Sequence, residues 1–260
     1  MRLAANARIV AALGRRSVKQ TFRRPQFLAP ILLFPTLFLA VNTGGAGRAT
    51  DIPGFPEVAG FLDFELAGAM LQSTMLVGVS GGIALALDIE IGFLDRLIAA
   101  PISRAAMVLG RLAATAALGV VVATWFVVLG LAFGARVEAG VAGVLLIFVL
   151  VPLSAMAFGG LGAALALAAG RASVVQGIFP LVFVILFLSS AFFPRSLMLE
   201  PAATVALYNP LSLIAEGIRA PVIAGLSVGA LAQGLLGTAI VGGSGFALSA
   251  LALRRRLRIG

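Results

Sequence analysis

Two uncharged runs, residues 66–87 and 112–135, flank a densely charged stretch, the only one in the chain that lies between two long apolar runs. Each run is long enough to cross a hydrocarbon core of about 30 Å at about 1.5 Å per residue. The stretch between them, residues 88–104, must then lie in water or at the interface. Within it Leu94, Leu97 and Ile98 fall at helical spacing with Asp95 and Arg96 on the other side, which predicts a short amphipathic helix. Pro101 ends that helix, because its ring and missing N–H break the ladder.

Composition widens this to the whole chain. It is 61% hydrophobic and 11% charged, with a mean hydropathy of +1.12. A soluble domain carries about 25% charged residues, so the expectation is an all-α, polytopic membrane protein with little soluble mass. There is no cysteine and no histidine, which removes disulfides, the usual zinc ligands and imidazole acid–base catalysis. The single lysine, Lys19, follows Val18, so there is no phosphate-cradling Gly-Lys-Ser/Thr loop. The chain is therefore not expected to be an enzyme or to hold a cofactor.

A net charge of +9 could suggest nucleic acid, but its placement does not. Arg2, Arg8, Arg15, Arg16, Lys19, Arg23 and Arg24 precede the first apolar segment, and Arg254, Arg255, Arg256 and Arg258 follow the last. Arg96, Arg104, Arg111 and Arg171 lie in alternate segments on the same side, leaving only Arg48, Arg136, Arg195 and Arg219 for the other. This positive-inside pattern predicts that both termini and the 88–104 loop are cytoplasmic. Residues 6–23 gather Arg8, Arg15, Arg16, Lys19 and Arg23 into one sector, with Ile9, Val10, Leu13, Val18 and Phe22 outside it. That predicts a basic amphipathic helix lying on lipid at the inner interface, the alternative being a plain positive flank.

Six spans are expected, near residues 25–41, 66–87, 106–133, 142–168, 174–193 and 228–253, in one transmembrane domain over 1–260. As drawn, they hold no ionisable residue except Arg111, which argues against an ion-coupled carrier, a channel or a metal-dependent transferase. Gly78/Gly82, Gly130/Gly134 and Gly225/Gly229 have small-xxx-small spacing, but 31 glycines produce such pairs by chance, so no dimer face follows.

Residues 194–227 fall outside the spans, yet their charges are only Arg195, Glu200, Glu216 and Arg219. A structureless loop so long and apolar is improbable. Two half-helices, 199–207 and 211–219, re-entering the outer leaflet and meeting at Tyr208-Asn209-Pro210, would satisfy the backbone. Glu216 and Arg219 are spaced i,i+3 for an ion pair.

Particular residues then carry a resemblance. Glu90, Gly92, Leu94-Asp95-Arg96-Leu97, Pro101-Ile102-Ser103-Arg104 and Gly110-Arg111 resemble the cytoplasmic loop of type-2 ATP-binding-cassette exporter permeases. The sequence departs from that pattern at Ile91, Phe93 and Arg111, where the family often has a basic residue, Thr or Ser, and Lys. Phe192-Phe193-Pro194, Tyr208-Asn209-Pro210-Leu211-Ser212 and Glu216-Gly217-Ile218-Arg219 are similar to the end of the same family, above all its daunorubicin-resistance-type branch.

The resemblance implies a permease subunit in a bacterial plasma membrane. It implies two ATPase subunits that bind ATP and Mg, and a second permease copy or a sister permease. It also implies ATPase coupling through Glu90, Leu94, Asp95, Arg96, Leu97, Pro101 and Arg104, and an outer gate at Tyr208, Asn209, Pro210, Glu216 and Arg219. The cargo would be a hydrophobic or amphipathic drug or lipid. A polysaccharide or lipo-oligosaccharide exporter and a non-transporting membrane scaffold remain alternatives.

Overall fold

The computed structural model describes residues 12, 14–16, 19, 25–94, 96 and 104–259. They are helical, with no strand among the described residues. The long helices are α1 (Pro25–Ala46), α2 (Phe61–Glu90), α3 (Arg104–Ala132), α4 (Gly140–Ala169) and α9 (Val228–Ile259). All five are long and apolar enough to cross a membrane. Between α4 and α9 lie four shorter helices: α5 (Ala172–Gly177), α6 (Phe179–Phe187), α7 (Ala202–Tyr208) and α8 (Pro210–Ile223).

Hydrogen bonds between helix ends fix the directions. At one end, Asn42 Nδ2 donates to Glu65 Oε1 at 2.7 Å, and the Arg136 N–H donates to Asp63 Oδ1 at 3.0 Å. The Glu138 and Ala139 N–H groups donate to the carbonyls of Val222 and Pro221. This far end therefore gathers the end of α1, the start of α2, the α3–α4 turn and the end of α8. Asp63 suits its place, since a carboxylate in the first turn of α2 meets the positive end of the helix dipole. The opposite, loop end holds the end of α2, the start of α3 and the end of α4, where Gly170 closes the helix at φ 66° in the left-handed region.

α4 sits at the centre, packed on α2, α3, α8 and α9. Its contact with α2 is backbone against backbone. A Cβ added at Gly82 would lie 2.7 Å from the Gly162 carbonyl oxygen, and one at Gly78 would lie 2.6 Å from that of Phe158. Only glycine permits this approach, which maximises dispersion contact where no hydrophobic drive separates helix from lipid. Gly78 and Gly82 are thus committed inside the chain. The core around them is Leu71 and Leu76 of α2, Phe126 of α3, Ile147 and Leu150 of α4, and Ile214 and Ile218 of α8.

Three expectations are corrected. The second span was drawn from 66 with Glu65 outside it, but α2 starts at Phe61 and Glu65 is fully buried within the helix. The expected spans hold no ionisable residue apart from Arg111, yet α2 carries Glu65 buried at the far end. The periodicity of 66–87 stops at Glu65 only because a carboxylate reads as a solvent marker; Asn42 gives it a donor inside the protein. The expected helix over 174–193 is divided into α5 and α6 at Ile178, with Pro180 in the first turn of α6, where a missing N–H costs no ladder bond. The chain still passes from the loop end at Ala172 to the far end at Ala191, which packs on Gly68.

Candidate functional site

At the loop end the last turn of α2 and the turn that follows it are held from three sides. Asp88, in the last turn of α2, accepts from Arg111 Nη2 of α3 at 2.9 Å, and Arg16 Nη2 approaches its other oxygen at 3.9 Å. The same Arg16 guanidinium lies 3.9 Å from the centre of the Phe93 ring. Glu90 Oε1 accepts the Ala172 N–H at 2.8 Å, satisfying one of the orphan donors at the start of α5. The end of α2 is therefore tied to the N-terminal segment, to α3 and to α5 at once.

Leu94, expected to face a partner, is 7% exposed and packs in its own chain against the cluster of Leu85, Ile89, Ala166 and Val175. Its apolar surface is already covered. Ile91 and Arg96 are exposed beside it. Asp95, Leu97 and Pro101 lie outside the described residues, and Arg104 begins α3. Of the N-terminal basic residues, Arg15, Arg16 and Lys19 are helical and exposed, whereas Arg8 and Arg23 lie outside the described residues. Gly14 packs on the start of α3: a Cβ there would sit 3.5 Å from both Ala113 Cβ and the Gly110 carbonyl oxygen.

At the far end Arg219 is 1% exposed, the largest side chain buried so fully. Its Nη1 donates to Glu216 Oε1 at 2.7 Å, the i,i+3 pair expected from spacing. Its Nε donates to the Phe64 carbonyl at 3.1 Å, and Nη2 to the carbonyls of Ser190 and Ala191 at 3.0 and 2.6 Å. The guanidinium carbon also lies 3.8 Å from the Phe64 ring centre. A planar fork with five N–H donors suits such a site, where every unmet donor would be costly.

The surrounding hydrogen bonds hold the fork in place. Ser190 Oγ donates to Glu216 Oε1 at 2.9 Å, and the Ser190 N–H donates to Ser212 Oγ at 3.0 Å. Asn209 caps α8 by accepting the Leu211 N–H at 3.0 Å, with Pro210 in the first helical turn. Asn209 Nδ2 meanwhile donates to the carbonyls of Ile185 and Leu188, which end α6. Asn209 thus joins two helix ends, and α7 and α8 do meet at Tyr208-Asn209-Pro210. Tyr208 itself is exposed. The observed helices are shifted from the expected 199–207 and 211–219, and α8 runs on through Pro221.

Sequence reasoning missed Phe64, Glu65, Asn42, Ser190 and Ser212. Three of these act through backbone or hydroxyl groups that carry no spacing signal. Asp88 and Arg111, 23 residues apart on different helices, were likewise not paired in advance.

A bundle with five helices long and apolar enough to cross a membrane is that of a multi-pass membrane protein. The profile of the ABC-2 type transporter family matches residues 9–223. The chain therefore belongs to the ABC-2 type transporter membrane family, whose permeases work with an ATPase subunit. The comparison with curated proteins gives no match.

Proposed function

We propose that this chain is the permease subunit of an ATP-driven exporter for a hydrophobic or amphipathic cargo, drug-like or lipid, of the daunorubicin-resistance type. The observation that carries it is the family match over residues 9–223, which includes both the charged loop and the Arg219 region. The permease pairs with a second copy or a sister permease and with two ATPase subunits that bind ATP and Mg. The loop end is cytoplasmic, as the arginine distribution favours, and the membrane is a bacterial plasma membrane.

In this reading the chain crosses the membrane six times, the fifth passage being α5 and α6 together. Helices α7 and α8 re-enter the far leaflet and close the pathway; the exposed Leu199, Val205, Leu207 and Tyr208 would then meet lipid rather than water. ATPase closure is received by residues 88–104, with Ile91, Asp95, Arg96 and Leu97 as contacts and Leu94 as the internal brace. The basic face of the N-terminal segment rests on anionic lipid, at about 1 kcal/mol per residue near the surface.

Co-purification with a separate ATPase subunit, whose gene is expected beside this one, tests the reading. Leu97→Asp places a charge in an apolar contact and is expected to abolish ATPase association while membrane insertion survives. Wild-type ATPase recovery and transport by that variant would overturn it.

A further inference from the structure

Beside the Arg219 site the structure holds a cleft of about 530 Å³, lined by Arg195, Glu200, Thr204, Ser212, Glu216 and Gln233 together with apolar side chains of α7 and α8. Resting on the reading that α7 and α8 lie in the far leaflet, we propose that this cleft binds the zwitterionic head of an amphiphile, an ammonium joined to a phosphate as in phosphoethanolamine.

The charges in the cleft favour that class. Glu216 uses Oε1 for Arg219 and Ser190, so its carboxylate is held in place, while its side chain is 43% exposed and Oε2 remains open to accept from an ammonium. Glu200 uses Oε2 to cap α7 through Thr204 and keeps its other oxygen. Arg195 is exposed and makes no ion pair among the described residues, leaving its fork for a phosphate. The exposed Gln233 amide can serve either end of a polar head.

A purely cationic head would meet the Arg195 guanidinium, and a purely anionic one would meet two carboxylates; like-charge juxtaposition is what excludes wrong ligands. A zwitterion leaves neither sign uncompensated. Ala203, Leu207 and Leu213 supply an apolar wall next to the polar groups, so a tail can leave the cleft toward lipid.

The test uses the full chain purified in a neutral maltoside detergent, with binding read by native mass spectrometry. Lysophosphatidylethanolamine is compared with lysophosphatidylglycerol, which lacks the ammonium, and with dodecylammonium, which lacks the phosphate. The zwitterion should bind at least tenfold more tightly than either. Arg195→Gln, an exposed side chain whose loss leaves the fold intact, should erase the preference over dodecylammonium. Glu216→Gln, which keeps an oxygen for Arg219, should erase the preference over the anionic lipid. Glycerophosphoethanolamine carries the same head without a tail: binding within tenfold of the lipid identifies a free head group as ligand, and weaker binding identifies a lipid. Equal binding of the three amphiphiles, or preferences unchanged in both variants, overturns the proposal. A cysteine at Leu213, probed from each side of sealed vesicles, reports on placement separately. Labelling from the loop side would refute the far-leaflet reading even if the head preference held, and loss of the preference would refute the cleft even if labelling came from the far side.

Discussion

The two ends of the bundle each carry an arginine paired with a carboxylate, and they use the pair differently. Asp88 and Arg111 sit at the rim of the loop end, with a third partner, Arg16, held loosely at 3.9 Å and half exposed. Arg219 and Glu216 sit beside a cradle of three main-chain carbonyls that no solvent reaches on the arginine side. Asp88 is buried and Arg111 largely so, which leaves the contact with the exposed Arg16 as the part of this cluster near water, where an ion pair gains little and can be exchanged at little cost. A buried guanidinium with its donors satisfied gains little over an apolar substitute of the same shape, but removing it alone leaves partners stranded. The Arg16 contact at the loop end is therefore open to exchange, whereas the Arg219 cradle is built for permanence. That division suits a protein that receives motion at one end and seals at the other.

The largest expected effect tests the permanence of the far end. Arg219→Met should strand Glu216 and the carbonyls of Phe64, Ser190 and Ala191, at about 3–5 kcal/mol. Fluorescence-detected size exclusion after heating should show the bulk of the protein lost well below the wild-type midpoint. Arg219→Lys should recover only part, since an ammonium cannot reach all four acceptors. A wild-type melting profile for Arg219→Met would remove the distinction between the ends.

A pair of double-mutant cycles sharpens it. The coupling between Glu216 and Arg219 should exceed that between Asp88 and the exposed Arg16 several-fold, the latter falling within about 0–1 kcal/mol. Stability is measured by thermal aggregation of the purified permease. Ion-pair strength at the loop end should also decline as salt rises through the physiological range, while the far-end value stays constant.

The smallest effect concerns Glu90. Glu90→Ala removes the acceptor for the Ala172 N–H and should cost about 1 kcal/mol, whereas Glu90→Gln keeps a side-chain oxygen and should be nearly neutral. ATP turnover of the assembled transporter, read on the same variants, would show whether this tie also carries motion: a drop in Glu90→Ala without a drop in Glu90→Gln is the expected pattern.

Much of the architecture could be read from the sequence because lipid imposes a simple rule. A segment that must pair its own backbone and meet hydrocarbon becomes a long apolar helix, so α1 to α4 and α9 stand close to where charge-free runs placed them. The rule fails where protein replaces lipid or water as the neighbour. Glu65 looked like a boundary because a lone carboxylate normally seeks water, whereas here Asn42, 23 residues away, donates to one of its oxygens inside the protein. The i,i+3 pairing of Glu216 with Arg219 was legible, being local. The other acceptors of Arg219 were not, since main-chain carbonyls at Phe64, Ser190 and Ala191 have no letter in the sequence. Leu94 illustrates a further gap: helical spacing shows that a face is apolar but not which surface will cover it.

The Arg219 cradle also sets an order of events during synthesis. Phe64 precedes Arg219 by 155 residues, and Ser190 and Ala191 by 29 and 28. At roughly 5–20 residues per second, the Phe64 carbonyl leaves the ribosome on the order of ten to thirty seconds before the guanidinium that will occupy it. The first four long helices are complete by then, and the acceptors wait on the nascent chain for their donor. Arg219 is thus the last member of its own site to be made, and its arrival lets α8 fasten to the start of α2 while α9 is still to be synthesised.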